Sequence, residues 1–253
     1  MTQFTLKIIA MAAMLCDHFA KVILATGVLS PYLGTEGSLW LQTMLTVIGR
    51  IAMPIFAWFV AEGCRKSRNQ RRYLCRLATF AVLSEAPFQL CFWGAGQNGV
   101  QLGCHNVLFT LLFGAAAICA GQWLERGGTV KWAAWLVPSA AAVSLGWLLK
   151  TDYNAWGVAL IIMLYLLPEK KQKLLLMGCW MTVFMLIWHG WNGRTLIWMS
   201  KNGYGLILQW IGGMFAVPLL ACYQGMRGRK CRWLFYAFYP AHLWILYLFR
   251  CLI

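Results

Sequence analysis

Long apolar stretches, separated by short polar connections, run along the whole chain of 253 residues. A helix that crosses a bilayer needs about 20 mostly apolar consecutive residues, and most of these stretches approach that length. The pattern predicts an all-α, polytopic membrane helical bundle of about nine transmembrane helices, within a range of roughly eight to ten. The predicted spans cover residues 5–28, 42–63, 73–92, 104–124, 131–149, 156–168, 173–189, 206–223 and 233–252. No repeat or polar domain interrupts this pattern, so we predict one transmembrane domain over residues 1–253.

The composition supports this class, because 61% of the residues are hydrophobic and 11% are charged. Soluble domains carry about 25% charged residues, so the composition argues against a soluble protein. Ten cysteines are scattered along the chain and no two of them form a C-x-x-C pair. We therefore expect no metal site.

The net charge of +15 is distributed unevenly among the connections. Most basic residues fall in alternate connections, at positions 65–72, 126–131, 170–173 and 227–232. Cytoplasmic connections of membrane proteins are enriched in Lys and Arg. The charge thus predicts a cytoplasmic N-terminus and attraction to anionic lipids or ligands, and it does not indicate a nucleic acid partner.

Three ionisable residues lie in the middle of the first predicted span, Asp17, His18 and Lys21. A charged residue at the centre of a membrane helix costs about 2.5–3.5 kcal/mol on insertion scales. Asp17 and Lys21 are four residues apart and can form an ion pair on one face of a helix. His18 points about 100° away from Asp17, and this pairing does not explain it. We predict a functional role for His18, with a satisfied structural histidine as the alternative.

Two further charged residues interrupt the second and third predicted spans. Arg50 lies four residues before Pro54, which cannot donate a hydrogen bond to the Arg50 carbonyl and should kink the helix. Arg50 is either an anion or carbonyl clamp or an arginine that extends to the membrane interface. Glu85 is a buried acid or a structural partner of Arg50 or Lys21. Asp152 is predicted to be a solvated loop acid.

Two other polar groups lie at the start of predicted spans. His105, Asn106 and Thr110 open the fourth span, where a structural role is as good an interpretation as a functional one. Tyr239 and His242 share one face of the last span, and His242 is predicted to lie near mid-depth. The alternative for this second pair is an aromatic belt with a packed histidine.

The connection at 65–72 is richer in arginine than membrane topology requires. Guanidinium groups bind phosphate through two parallel hydrogen bonds, so this connection is a candidate phosphate site. The alternative is charge that serves only to orient the chain in the membrane. The predicted phosphate-binding residues are Arg65, Arg68, Asn69, Arg72 and Arg76.

Membrane-embedded histidines and carboxylates beside a basic connection suit a transferase that takes an anionic donor from the cytoplasm. The same residues could line a proton-coupled transport path. Many transporters contain inverted repeats, and neither a repeat nor an even number of spans is visible in this chain. A third alternative is an assembly factor of a conjugation or secretion system.

The motifs resemble those of the TraX family over nearly the whole chain. The matching segments are LKIIAMAAMLCDHFAKV, GRIAMPIFAWFVAEGCRKSRN, RYLCRLATFAVLSEAPF, HNVLFTLLFG, DYNAWGVALII and RGRKCRWLFYAFYPAHLWILYL. The resemblance implies a multi-pass bacterial inner-membrane acetyltransferase with acetyl-CoA as the donor substrate. Its implied partners are the lipid bilayer, acyl-CoA and an amine or hydroxyl acceptor, such as the N-terminus of a pilin or another envelope molecule.

In such an enzyme a histidine would act as the general base, or would accept the acetyl group itself and pass it on, and we expect His18 rather than His242 in this role. Asp17 or Glu85 would orient the imidazole and stabilise its protonated form. Groups that stabilise the thioester oxyanion or bind the acceptor are predicted to be Arg50, Asn106 and Tyr239.

Overall fold

The computed structural model describes residues 1–92, 95, 96, 99, 100, 104–190 and 207–253, and most of them are helical. The all-α prediction is confirmed, with one short hairpin formed by the strands Ala95–Gly96 and Gly99–Val100. The helices are α1 Gln3–Val22, α2 Ser30–Gly49, α3 Ala52–Lys66, α4 Gln70–Phe92, α5 Val107–Arg126, α6 Lys131–Leu148, α7 Asn154–Leu166, α8 Lys170–Gly190, α9 207–214, α10 Ala216–Ala221 and α11 Arg232–Leu252.

Three described segments are long and apolar enough to cross a membrane, Gln3–Thr26, Ser30–Lys66 and Val107–Arg126. Two shorter apolar helical segments, Asn154–Leu166 and Ile207–Ala221, fall below that length. The number of nine spans therefore stays a prediction. Residue 206, the first of the predicted eighth span, lies outside the described residues.

The second predicted span differs from the observed helices. Residues 30–41, which we assigned to a connection, belong to α2, which is kinked at Gly34 with φ +71°. The predicted span 42–63 is divided between α2 and α3. The chain leaves the helix at Arg50 and Ile51, three residues before Pro54. Because Pro54 has no N–H for the Arg50 carbonyl, the helix ends there and a new one begins.

The chain forms two compact units. Unit 1 contains Met1–Ile55, Glu169–Phe235 and Trp244–Ile253, and unit 2 contains Phe56–Pro168 and Tyr236–Leu243. Helix α11 therefore contributes residues to both units. The prediction of a single domain stays a prediction.

In unit 1, α1 packs along α2. A side chain on Gly49, the last residue of α2, would overlap the Cβ of Asp17 on α1. The two helices approach most closely where the sequence has glycine, which brings the α2 backbone against the ionisable residues of α1.

In unit 2, α5 packs against α4, α6 and α7, and α6 packs against α7. Ala117 of α5, Ala142 of α6, and Val158 and Ile162 of α7 form a buried apolar cluster among these helices. Small and branched side chains at these positions let the three helices pack closely.

The helix ends of unit 2 gather at two opposite places. At the first, Arg65 of α3 donates a hydrogen bond of 2.5 Å to the Tyr165 carbonyl near the end of α7. There Gln70 at the start of α4 donates to Gln122 near the end of α5, which donates to the Tyr165 hydroxyl. We call this region the basic end, because the arginines of 65–72 lie there.

At the second place, which we call the Glu85 end, the loop before α5 pairs with the α6–α7 connection. The His105 amide donates to the Lys150 carbonyl at 3.1 Å, and the Asp152 amide donates to the His105 carbonyl at 2.8 Å. The connections at 65–72 and 126–131 thus lie at one end of unit 2 and the alternate connections at the other, as the distribution of basic residues predicts.

Candidate active site

Glu85 is the centre of a hydrogen-bonded cluster at its end of unit 2. One carboxylate oxygen, Oε1, lies 2.8 Å from His105 Nδ1 and accepts a hydrogen bond of 2.7 Å from Gln89 Nε2. Gln89 is one helical turn beyond Glu85 on α4, so helix geometry alone brings these two side chains together. Gln89 also donates to the Cys104 carbonyl at 2.9 Å and so ties the loop before α5 to α4.

The other carboxylate oxygen of Glu85, Oε2, is held by Asn106. Oε2 accepts hydrogen bonds from Asn106 Nδ2 at 2.6 Å and from the Asn106 backbone amide at 3.2 Å. Asn106 is fully buried, and its Nδ2 also donates to the Ala81 carbonyl at 2.8 Å. Its Oδ1 accepts from the Leu108 amide at 3.0 Å and thus caps the N-terminus of α5.

His105 is oriented by this carboxylate. A carboxylate accepts hydrogen bonds and does not donate them, so Nδ1 of His105 carries the proton in this contact. The second ring nitrogen, Nε2, is then an unprotonated acceptor in the neutral imidazole. The side chain is 34% exposed, whereas that of Glu85 is 21% exposed. A carboxylate that fixes the tautomer of a partly accessible histidine is the arrangement of a general base.

Two predicted site residues of α11 belong to the same unit. The buried hydroxyl of Tyr239 lies near the Val107 amide and within electrostatic range of Asp152 and Glu85. His242 is buried, and its Nδ1 is 2.8 Å from the Phe238 carbonyl of its own helix. The His242 ring stacks on Phe238 and meets Tyr239 edge to face at 5.5 Å between ring centroids.

Comparison with known proteins identifies the family of this chain and one similar protein. The TraX family model, described as TraX protein, matches residues 3–250. The chain belongs to the TraX family. It is also 28% identical to the probable fimbrial assembly protein FimC, serogroup H1, of Dichelobacter nodosus, over 97% of this chain and 94% of that protein. No solved structure matches.

Family membership and the apolar helices identify a membrane protein. Three of the motifs behind the resemblance meet at the Glu85 end of unit 2. LSEAPF carries Glu85, HNVLFT carries His105 and Asn106, and FYPAHL carries Tyr239 and His242. The first two motifs form the hydrogen-bonded cluster, and Tyr239 of the third lies within electrostatic range of Glu85.

The predicted residues of the first span lie in unit 1. The Asp17–Lys21 pair is confirmed, with Lys21 Nζ 2.6 Å from Asp17 Oδ2. Oδ1 of Asp17 is buried and makes no hydrogen bond within the described part of the chain. His18 is buried on α1. Arg50 donates from Nη2 to Gln209 Oε1 at 2.8 Å, so its described polar contact is an amide oxygen.

At the basic end, two of the predicted phosphate-binding residues have structural contacts. Arg65 donates to the carbonyls of Tyr165 and Leu167 at the C-terminus of α7, and it lies over the Tyr165 ring. Asn69 caps α4, because its Oδ1 accepts from the Arg72 amide at 2.9 Å. Both contacts stabilise helix ends.

The other arginines of the predicted phosphate site differ in their surroundings. Arg76 lies one turn further along α4, and its guanidinium is 5.9 Å from the centroid of the Tyr236 ring. Arg68 and Arg72 have exposed side chains. Arg65 and Asn69 are exposed as well, but their side chains are engaged at helix ends, so Arg68 and Arg72 are the better candidates for an anionic ligand among the five predicted residues.

Sequence reasoning missed the pairing of His105 with Glu85. The two residues are 20 positions apart, and no periodicity relates them. The available indications were the i, i+4 relation of Glu85 to Gln89 and the suitability of Asn106 as an N-cap before an apolar stretch. We considered Arg50 or Lys21 as partners of Glu85, whereas the observed ones are His105, Asn106 and Gln89.

Across the described residues, no three His, Cys, Asp or Glu side chains could hold a metal ion together.

Proposed function

We propose that this TraX-family chain is a multi-pass inner-membrane acyltransferase that moves acetyl from acetyl-CoA to an amine or hydroxyl acceptor. The observation that carries the proposal is the contact of 2.8 Å between His105 Nδ1 and Glu85 Oε1, in a hydrogen-bonded cluster that joins the segments LSEAPF and HNVLFT. A pilin-type N-terminus is the proposed acceptor, in keeping with the family resemblance and with the relative that is named as a fimbrial assembly protein.

In this mechanism His105 is the general base. As the acceptor nitrogen or oxygen attacks the thioester carbonyl, its proton moves to His105 Nε2, and Glu85 stabilises the resulting imidazolium. The tetrahedral intermediate then collapses, the carbon–sulfur bond breaks, and the imidazolium returns the proton to the CoA sulfur. The products are the acetylated acceptor and free CoA.

The oxyanion of the intermediate needs a hydrogen-bond donor. Asn106 is less suited to this role than the sequence indicates, because its amide group already donates to Ala81 and Glu85. Tyr239 lies near Glu85 on a different helix, so we propose its hydroxyl as the oxyanion donor. Arg50 belongs to unit 1, so we assign it no role at the Glu85 end.

We propose that the phosphates of CoA bind at the basic end of unit 2 through Arg68 and Arg72. Arg72 and Glu85 lie on the same helix, roughly 20 Å apart at about 1.5 Å per residue. A donor held at Arg72 therefore reaches the Glu85 end only through a long arm, such as the pantetheine arm of CoA.

The proposed topology places the basic end in the cytoplasm, because it holds the Lys- and Arg-rich connections. The Glu85 end then lies toward the opposite side of the membrane. Exposed apolar side chains along α6 support a multi-pass arrangement in which this helix faces lipid. Large apolar side chains exposed on α6 are Trp132, Leu136, Val137, Leu145, Trp147 and Leu148.

The test uses the protein purified in detergent with labelled acetyl-CoA and peptides that carry a pilin-type N-terminus. We expect His105→Gln to reduce transfer by about 10²–10⁴-fold, the usual contribution of a general base. His18→Gln, the matched variant for the base predicted from sequence, should retain most activity. Full transfer by His105→Gln together with loss by His18→Gln would show that His18 is the base and that our assignment is wrong.

The relative's name also supports a second candidate, an assembly factor without acyl transfer. The two functions make different predictions in cells that depend on this chain for pili. An acyltransferase should lose pilin acetylation in the His105→Gln variant, whereas an assembly factor should support normal pili with that variant. Proton flux in vesicles without acetyl-CoA binding would instead favour a transporter.

A further inference from the structure

A basic loop between α10 and α11, residues 222–231, is held in a defined shape within unit 1. The backbone of the first residues of the chain pairs with it, since Gln3 N–H donates to the Met226 carbonyl at 2.8 Å and Phe4 N–H to the Arg227 carbonyl at 3.2 Å. In return, Gln224 N–H donates to the Met1 carbonyl at 3.0 Å. The loop is thus fixed by extended main-chain pairing.

A lysine at the start of α8 fixes the other side of this loop. Lys170 Nζ donates to the carbonyls of Ala221 and Tyr223 at 2.6 and 2.7 Å, which satisfies the C-terminus of α10. Tyr223 is buried. Contacts from α8 and from the N-terminal segment therefore order the loop before any ligand binds.

Positive charge is concentrated on this loop without nearby compensation. Arg227, Arg229 and Lys230 are exposed, and none of them forms an ion pair with any residue that the structure describes. The sequence contains no Asp or Glu after Glu169, so the loop lies in a long stretch without acidic residues. Such a surface attracts an anion strongly.

Apolar side chains accompany these charges. Met226, next to Arg227, is 53% exposed, and Trp233, in the first turn of α11, is 62% exposed. Leu234 is also exposed. Exposed Met and Trp beside Arg and Lys favour the boundary between lipid headgroups and acyl chains, where both kinds of group are satisfied.

We propose that the loop 222–231 is a preformed binding site for an anionic phospholipid headgroup. Arg227, Arg229 and Lys230 would contact the phosphate, and Met226 and Trp233 would enter the acyl boundary. A basic cluster directly beside a membrane helix is the usual form of such sites. The tethered loop has little entropy to lose, which favours a defined lipid over diffuse attraction. This inference does not depend on the proposed acyl transfer.

The main experiment titrates delipidated protein in detergent with phosphatidylglycerol, and in parallel with phosphatidylcholine, by native mass spectrometry. We expect tighter binding of phosphatidylglycerol and a loss of roughly 10- to 30-fold in the Arg229→Gln/Lys230→Gln variant. The matched control is Arg126→Gln/Lys131→Gln, which removes the same charge from another connection and should change the affinity less than about twofold.

A charge-neutral pair of variants tests the shape of the loop. Gly228 has φ +71°, and a Cβ there would lie 2.8 Å from Thr2 Oγ1. Gly225 has φ +77° but no atom within 4 Å of its added Cβ. Gly228→Ala should therefore weaken phosphatidylglycerol binding, while Gly225→Ala, with similar backbone strain, should weaken it less.

Three results would overturn the proposal. Equal losses in the two double variants would mean that the attraction follows net charge alone. Equal binding of both lipids would remove the headgroup specificity. Displacement of phosphatidylglycerol by millimolar inorganic phosphate would show that the loop binds a free anion. If Gly228→Ala fails to fold, the charge variants still decide the question.

Discussion

The two ends of unit 2 both carry polar side chains at helix termini, but they use them differently. At the basic end, Arg65 bonds to the last carbonyls of α7 and Asn69 caps α4. Each of these contacts satisfies a backbone group of a helix end. At the Glu85 end, Asn106 caps α5 and also holds the Glu85 carboxylate, which in turn orients His105.

The difference lies in what remains after the helix ends are satisfied. Both Glu85 oxygens are engaged, and the contact with Oε1 orients the His105 ring through Nδ1. At the basic end, the side chains that remain include the exposed Arg68, Arg71 and Arg72, which carry positive charge. The Glu85 end thus suits chemistry at one atom, whereas the basic end suits electrostatic attachment of an anionic donor.

The largest effect that we expect is on activity at the Glu85 end. Glu85→Gln keeps the size of the side chain but removes the charge that stabilises the His105 imidazolium, so acetyl transfer should fall by about 10²–10⁴-fold. The measurement is kcat for labelled acetyl transfer in detergent.

The control residue for this variant is Glu62, another acid of unit 2. Its Oε2 lies 3.2 Å from Lys66 Nζ near the basic end. Glu62→Gln removes the same charge from unit 2 and should leave kcat within about twofold, since Glu62 lies near the basic end and its ion-pair partner is Lys66 rather than His105. Equal activity of the Glu85→Gln variant and the unmodified protein would remove Glu85 from the mechanism.

A smaller effect, on the stability of the fold, is expected when each of the two asparagine caps is replaced. Asn106→Ala leaves the α5 terminus uncapped and removes partners from the buried Ala81 carbonyl and from Glu85, which should cost roughly 2–3 kcal/mol. Asn69→Ala removes an exposed cap of α4 and should cost about 1 kcal/mol. Thermal unfolding in detergent should therefore rank Asn69→Ala above Asn106→Ala in stability, and the reverse order would contradict the roles assigned to these caps.

The smallest effect is expected on CoA binding at the basic end. Arg68→Gln and Arg72→Gln should each raise the KM for acetyl-CoA several-fold with little change in kcat, because an exposed phosphate contact acts on binding and not on the chemical step. Unchanged KM in both variants would leave these arginines with a role in membrane orientation alone.

The helices were predictable from the sequence where an apolar stretch is long enough to form one. The Asp17–Lys21 ion pair was predictable because the two residues are four positions apart. Less was predictable around Pro54, since a proline in a helical pattern can produce a kink or a complete break. In this chain it produces a break at Arg50 and Ile51, and α2 extends back over residues assigned to a connection. The break directly follows Gly49, where α2 lies against Asp17 of α1, and this contact between helices is not contained in the linear pattern.

By itself, the sequence determined the helical class, the alternation of basic connections and the residues able to act as acid or base. These properties depend on composition or on neighbours within one helical turn. Only the tertiary structure decided that Glu85 meets His105 and Asn106, which lie 20 and 21 positions away, and that Arg65 and Asn69 stabilise helix ends. Contacts between helices depend on packing and loop geometry, and helical periodicity carries no information about partners on another helix.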